Sequence, residues 1–413
     1  MPDRTLLAEH IRAVLDGVNA FGADPKGGWS RVAFNDADMA ARRWLRKHFE
    51  DLGLDARIDA IGNVIGRWGP PDAPAILLGS HTDTVPRGGA FDGVFGVAAG
   101  VAALMALRAR YPKPLLAIEV ISFADEEGRF GGMFGSQALS GQIAPGWVDA
   151  AHDADGIFLV EAMRRHGLDA HAAHGVARAP GSVRAYIEAH VEQGPVLETA
   201  GVPVGIAPSI TGVCVTRTEL TGQADHSGTT PMGHRRDALA AAAEAIAAIP
   251  RMLAELGAPD ARATVGKLDI RPNTPHTIPG AVEFTAVLRD GDASVIRALE
   301  EGVTGVTATA ATRHGVASHT ERLSWLSPAE LDPGLSNLAA RCASEAGIGY
   351  AIVPSGAGHD AQSMQALCPS ALLFAPSRGG ISHAPEEHTD MNDMAEVAAV
   401  MVLLLNRLIR ETL

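Results

Sequence analysis

Apolar positions along this chain fall into two kinds of block. Short continuous runs, Ala75–Leu78, Leu115–Phe123 and Ala371–Ala375, have the length of buried strands. Longer stretches carry apolar residues at helical spacing. A helix is predicted from a cap at Asn35 or Asp36 to about Leu52, where Gly53 stops it. Further helices are predicted at Val94–Arg110 and Gly334–Ala346 and from about Met391 onward, and shorter strands at Ala56–Asp59 and Asn63–Arg67. Strands alternating with helices in this order predict an α/β layer with a largely parallel central sheet.

The pattern changes after Pro208. Strands are predicted at Val213–Thr221, Thr264–Ile270, Ala281–Arg289 and Ser318–Leu326, with helices at Asp237–Leu256 and Ala293–Ala311. Helices lying against an antiparallel sheet make a compact α+β unit. The predicted organisation is therefore one α/β domain from residues 1–208 and 326–413, interrupted by an α+β domain at 209–325. The segment 145–180 holds His152, His166, His171 and His174 among Asp, Ala and Gly, with no carboxylate-backed helical spacing. It reads as a solvated connection.

Composition narrows the picture. At 413 residues the chain is long for one hydrophobic core, in keeping with two domains. A formal charge of −14, from 34 basic and 48 acidic residues, argues against a nucleic-acid or anionic-membrane surface. It leaves room for a small anionic substrate, because a local Arg or metal reverses the field inside a cleft. Cys214, Cys342 and Cys368 are far apart and lack CxxC spacing, so buried thiols in a reducing compartment are expected. Met1–Gly17 contains Asp3, Glu9 and Asp16 and no leader-like apolar core, and Ala398–Leu405 is too short to span a bilayer. A cytoplasmic location is expected.

The candidate chemistry sits where predicted strands end. Gly79-Ser80-His81-Thr82-Asp83 follows the first buried run, and Phe91-Asp92-Gly93 precedes a helix. Imidazole and carboxylate together suit borderline metals such as zinc. The run Asp125-Glu126-Glu127-Gly128 ends another strand, and adjacent carboxylates repel unless protons or cations hold them. His190 stands in a strand pattern that stops at Gly194-Pro195, and His383 ends the Gly-rich turn after Ala371–Ala375. His190 alone is more often a structural residue, and His383 alone is weak evidence too. Together His81, Asp92, Glu127, His190 and His383 are enough groups for two metals if one carboxylate bridges.

These motifs resemble the M20 metallopeptidase superfamily, and within it the hydantoinase/carbamoylase group of N-carbamoyl-L-amino acid hydrolases, β-ureidopropionases and allantoate amidohydrolases. The likeness covers nearly the whole chain through Gly79–Val97, Asp125–Gly128, His190–Glu198, Ala224–Met232, Pro272–Arg289, Gly356–Ala361 and Pro376–His383. The resemblance implies two divalent metals, zinc by family expectation, although such donors also accept manganese, cobalt or nickel. It implies Asp92 as the bridge, His81 and His190 completing one site, and Glu127 and His383 the other. Glu126 is then the general base on a metal-bridging water, and Asp83 orients His81 from behind. Gln193, His226, His276, Arg289, Gly358 and His359 match substrate-contacting positions, with His226 also placed to stabilise an oxyanion. The α+β domain is implied to be a ferredoxin-like lid that also pairs subunits in a homodimer.

Three departures from the family pattern stand out. His276 occupies a position where Asn is usual, and Val287 one where an acidic residue is usual. The Glu-Glu-Gly segment is one residue short before Arg129-Phe130. The leading expectation is hydrolysis of the carbamoyl or related linear amide C–N bond of a small carboxylate-bearing substrate, such as an N-carbamoyl-L-amino acid. Allantoate hydrolysis, an aminoacylase or dipeptidase activity, and a non-catalytic scaffold stay open as alternatives.

Overall fold

The computed structural model describes residues 1–111 and 116–410. The chain forms two compact units, Met1–Pro208 with Glu330–Leu413, and Ser209–Ala329. The second unit thus runs past Leu326, the end of its last long strand, instead of closing at residue 325. Among the described residues no helix is long and apolar enough to cross a membrane.

The first unit is built on an eight-stranded sheet. In spatial order its strands are Asp55–Ile58, Val64–Trp68, Ala117–Phe123, Ala75–His81, Val183–Val191, Ser370–Ala375, Val204–Ala207 and Tyr350–Ile352. The four central strands, those ending at Phe123, His81, Val191 and Ala375, run parallel, and antiparallel pairing is confined to the flanks. Helices Arg4–Asn19, Val94–Arg110, Pro333–Glu345 and Met391–Arg410 share one apolar cluster with the sheet residues Ile76, Leu78, Ile118, Val120, Ile187 and Leu373. The helix Val94–Arg110 is buried on every side from Val94 to Leu104, as its uniformly apolar sequence requires.

Local chemistry sets the element ends. Asn35 caps the helix Asp36–Asp51 by accepting the Asp38 N–H at 2.8 Å. The strand from Ala75 does not stop at Leu78 but continues through Gly79 and Ser80 to His81. Gly79 has φ 145°, and a Cβ there would lie 1.9 Å from the Ile121 carbonyl oxygen. The strand from Ala371 likewise includes Ser370. The expected strand from Leu115 is seen from Ala117, Leu115 itself lying outside the described residues.

Two expectations change. The segment 145–180 is not a solvated connection. It carries the short helices Trp147–Ala150 and Leu159–Arg164 and a helical turn Ala170–His174, which bury Val148, Leu159, Met163 and Ala173 with Phe34, Phe130 and Phe134. Its apolar residues show no single period along the segment, and they pack on aromatic residues that lie outside it. Elements also form where none is expected: the helix Arg4–Asn19, capped by Asp3, and the strands Val204–Ala207 and Tyr350–Ile352. These two strands are too short to show a period of their own.

The second unit has four antiparallel strands in the order Arg262–Arg271, Ala281–Asp290, Gly212–Thr221, Ala317–Leu326. Helices Ala238–Leu256 and Ala293–His314 follow the first and third of these in the chain, giving the ferredoxin-like βαββαβ connection. Strict alternation buries Val282, Phe284, Ala286 and Leu288 with the helix residues Ala241, Ile249, Leu299 and Val303. Val287 and Arg289 therefore lie on the other sheet face.

Gly79→Ala is expected to destabilise the first unit by about 3 kcal/mol or more, since the residue combines a glycine-only φ with a backbone approach closer than any side chain allows. Urea unfolding followed by circular dichroism measures it. A loss below about 1 kcal/mol would show that the strand relaxes around a methyl group.

Candidate metal centre

The four parallel central strands all present their C-terminal ends at one sheet edge, the edge where ligands of α/β sheets bind. His81 is the last residue of its strand, and His190 the last but one of Val183–Val191. Ala117–Phe123 runs on into Asp125-Glu126-Glu127, and Ser370–Ala375 into the turn that ends at His383. Asp92 arrives from the loop before Val94–Arg110. Gly93, which caps that helix, has φ 64°, and a Cβ there would lie 2.4 Å from the His81 ring.

Asp92 is the meeting point. Its Oδ1 lies 3.0 Å from His190 Nε2 and 3.7 Å from His81 Nε2, and its Oδ2 lies 3.2 Å from His383 Nε2. His383 Nε2 is in turn 3.4 Å from Glu127 Oε2. His81, Asp92 and His190 form one group able to hold a metal ion, and Asp92, Glu127 and His383 another. Glu126 Oε2 stands 3.4 Å from His81 Nε2, at the edge of the first group.

The donor chemistry fits cations. His81 donates its Nδ1–H to the Asp83 carbonyl oxygen at 3.0 Å, and His190 donates its own to that of Val191 at 2.8 Å. Both Nε2 atoms therefore face carboxylate oxygens, a contact that holds only with a proton or a cation between nitrogen and oxygen. Burial, only partly offset by Asp92, lowers the His81 pKa to about 4, so its Nε2 carries no proton at neutral pH. His190 is pulled up to about 9 against its burial by Asp92. His383 reaches about 9 through its hydrogen bond to Asp92. Burial first, then the Asp92 charge, raises Glu127 to about 8. Asp92 is held well below the ordinary carboxylate range because His190 and the other imidazoles outweigh its burial. Glu126 is pushed well up by burial, then by Asp360 and its carboxylate neighbours.

The remaining candidates are distributed as follows. The acceptor that orients His81 is the backbone carbonyl of Asp83, while the Asp83 carboxylate Oδ1 is 3.9 Å from Nδ1. That carboxylate faces Arg42 and accepts the Glu127 N–H at 3.2 Å. Gln193 donates from Nε2 to Asp92 Oδ2 at 2.9 Å, and its Oε1 is buried with no hydrogen-bond partner. His359 is 1 % exposed, packs edge-to-face on His190 at 4.5 Å and has its Nε2 2.8 Å from Ser355 Oγ. It therefore stands behind a candidate ligand instead of facing outward, and Gly358 before it is half-buried.

His226, His276 and Arg289 belong to the second unit. The exposed His226 pairs with Thr277, and Ser227 donates its N–H to the His276 carbonyl. His226 Nδ1 accepts from the N–H groups of Gly228 at 3.0 Å and Thr229 at 3.1 Å. Its ring proton is thereby placed on Nε2. His276 is exposed and Arg289 half-buried. In the first unit, His152, His171 and His174 are exposed, and the half-buried His166 has its Nε2 3.0 Å from the Phe34 carbonyl oxygen.

Motif reading misses Ser382 and Glu387. Ser382 Oγ bridges Asp92 Oδ2 and Glu387 Oε2, and Glu387 Oε1 accepts the N–H groups of Phe91 and Asp92. The only sequence signal was their nearness to His383. Three of the described non-glycine residues with positive φ, Asp125, Gln193 and His383, are at this edge, where backbone strain marks functional positions.

The model for peptidase family M20/M25/M40 matches residues 77–407. An N-carbamoyl-L-amino acid amidohydrolase of Geobacillus stearothermophilus is 38 % identical over 92 % of this chain and 93 % of its own. An allantoate amidohydrolase of Escherichia coli strain K12 is 34 % identical over 98 % of both chains. The crystal structure of an amidase of the hydantoinase/carbamoylase family from Burkholderia multivorans superposes with a TM-score of 0.84 at 30 % identity, covering 98 % of each chain.

The raised groups give a prediction with a definite sign. In the cation-free protein at pH 7, His190, His383 and Glu127 hold protons that a bound cation displaces. Affinity for zinc or manganese should therefore rise with pH and level off above about 9. Calorimetric titration in two buffers of different ionisation enthalpy measures the proton release directly. Binding at pH 7 with no protons released would contradict this arrangement.

Proposed function

This chain belongs to peptidase family M20/M25/M40, and we propose that it is a dinuclear metal-dependent amidohydrolase cleaving the carbamoyl C–N bond of an N-carbamoyl-L-amino acid or a closely related ureido carboxylate. The observation that carries the reading is the pair of donor groups sharing Asp92 with Glu126 beside them. His81 and His190 would hold one cation, Glu127 and His383 the other, with Asp92 common to both. Cations bound there would polarise water and the scissile carbonyl at neutral pH. Zinc is the proposed native metal, with manganese, cobalt and nickel as substitutes.

The chain's own groups would then divide the work. Glu126, its pKa brought down by the neighbouring positive charge, would accept a proton from the attacking water and pass it to the departing nitrogen. Gln193 already donates to Asp92 and has Oε1 open to accept a substrate N–H. His226 carries its ring proton on Nε2, the tautomer able to donate to an oxyanion. The Arg289 guanidinium offers a fork suited to the substrate carboxylate, and His276 would donate to the same group. Gly358 and His359 would shape the wall behind His190. For an N-carbamoyl amino acid, one water is consumed and the amino acid, carbon dioxide and ammonia are released.

Allantoate, the substrate named for the Escherichia coli relative, is the second candidate. His276 and Val287, which depart from the family pattern in the second unit, favour testing N-acyl amino acids as well. That unit is proposed to act as a lid and as the pairing surface of a homodimer, which sedimentation as a monomer would reject. Cys214, Cys342 and Cys368 are all buried, in keeping with a proposed cytoplasmic location.

The test is ammonia release from N-carbamoyl-L-amino acids and allantoate, with amine release from N-acyl amino acids in parallel, after chelation and reloading with each metal. Chelation should abolish activity and reloading restore it. Silence on both ureido substrates by metal-loaded protein rejects the reading. Glu126→Gln should lower kcat by about 10²–10⁴-fold. Arg289→Lys should raise KM by roughly tenfold with little change in kcat, because a point charge replaces a bidentate fork.

A further inference from the structure

Arg42 is fully buried and lies outside every motif that carries the metal reading. Its guanidinium has a partner on each nitrogen. Nε donates to both Asp38 oxygens, at 2.9 and 3.0 Å. Nη1 donates to the carbonyl oxygens of Gly62 and Phe123, each at 3.1 Å. Nη2 reaches Asp83 Oδ1 at 3.4 Å. Asp38 is itself anchored, since its Oδ2 accepts the Phe34 N–H at 2.8 Å.

The partners matter more than their number. Phe123 is the last residue of the strand that continues into Ala124-Asp125-Glu126-Glu127. Asp83 offers its carbonyl to the His81 ring, and its carboxylate accepts the Glu127 N–H. Two arms thus leave one guanidinium, one to the strand end that feeds the carboxylate turn and one to the loop behind His81, and they meet again at Glu127. Only a planar fork of five N–H donors serves these acceptors at once, and a lysine ammonium cannot. A buried ion pair of this kind seldom adds stability over apolar packing, whereas it does fix geometry.

We infer that Arg42 is a positioning residue for the metal centre: through Asp83 and the Phe123 carbonyl it fixes how far the His81 loop stands from the Glu126–Glu127 turn. This rests on the metal reading proposed above. Loss of Arg42 should loosen the spacing between the two donor groups and so weaken cation binding before it affects substrate affinity.

The experiment compares full-length Arg42→Lys, Asp38→Asn and Arg67→Lys with the native protein. Arg67 is the control. It pairs with the buried Glu119 at 2.6 Å, four residues before the strand end at Phe123, and contacts none of the candidate ligands. Each protein is stripped, then titrated with zinc or manganese against a chromophoric chelator, and its melting midpoint, kcat and KM are measured. Arg42→Lys should lose at least ~10-fold in affinity for one cation per chain, with kcat reduced and KM within about twofold. Asp38→Asn should lose affinity in the same direction but by less, and Arg67→Lys should change the melting midpoint alone. Native affinity for both cations in Arg42→Lys overturns the inference, as does an equal affinity loss in Arg67→Lys. If Arg42→Lys does not fold, unchanged affinity in Asp38→Asn overturns it. A native protein that takes up no cation sinks the metal reading itself, a distinguishable result.

Discussion

The architecture of the first unit depends on one unfavourable crowd. Three imidazole nitrogens lie 3.0–3.7 Å from the Asp92 carboxylate, with Glu127 beside His383 and Glu126 beside His81, and all of these groups except His383 and Glu127 are buried. Lone pairs facing lone pairs in a low-dielectric interior repel strongly unless positive charge lies among them. His81, His190 and Asp92 cannot relieve this by swinging away. Val191 and Asp83 hold the far nitrogens of His190 and His81, Glu387 holds the backbone of Phe91 and Asp92, and Ser382 ties Asp92 to Glu387. The fold thus fixes most of this donor set, and the positive charge it calls for comes from protons in the cation-free protein, with bound cations as the alternative.

Such rigidity needs the parallel sheet. Four strands ending at one edge bring together donor groups from positions as distant as His81 and His383. The cost is local. Close approaches at Gly79 and Gly93 exclude any side chain, and Asp125, Gln193 and His383 adopt a left-handed backbone where each chain segment turns back toward the centre. Strain concentrated beside the donors, with regular strands behind them, is what a preorganised site looks like.

Much of this was legible in the sequence, and the limits are instructive. Val94–Arg110 has its expected ends because a glycine start and a uniformly apolar body leave little choice. The α/β character and largely parallel sheet follow from strand-helix alternation, and the family membership from motifs long enough to be specific. What pattern could not supply was tertiary. The packed segment 145–180 depends on Phe34, Phe130 and Phe134, and no local period announces that. Asp83 was visible as a partner of His81, yet only coordinates distinguish its carbonyl from its carboxylate. Arg42 is invisible to motif reading because its partners lie up to 81 residues away in the chain.

The departures at His276 and Val287 acquire a meaning from the contacts within the second unit. The His226 loop is fixed by backbone contacts: Ser227 N–H to the His276 carbonyl, and the pairing of His226 with Thr277. The His226 ring is fixed by the N–H groups of Gly228 and Thr229. None of these uses the side chain of residue 276, which is exposed. Val287 alternates with the buried Ala286 and Leu288, so its side chain stands on the same sheet face as Arg289 without entering the core. Both positions can therefore change identity while the neighbouring polar residues keep their places. On the proposed function, reaction type and substrate preference would rest on separable features: the first on the donor groups around Asp92 in one unit, the second on side chains in the other whose backbone support does not depend on them.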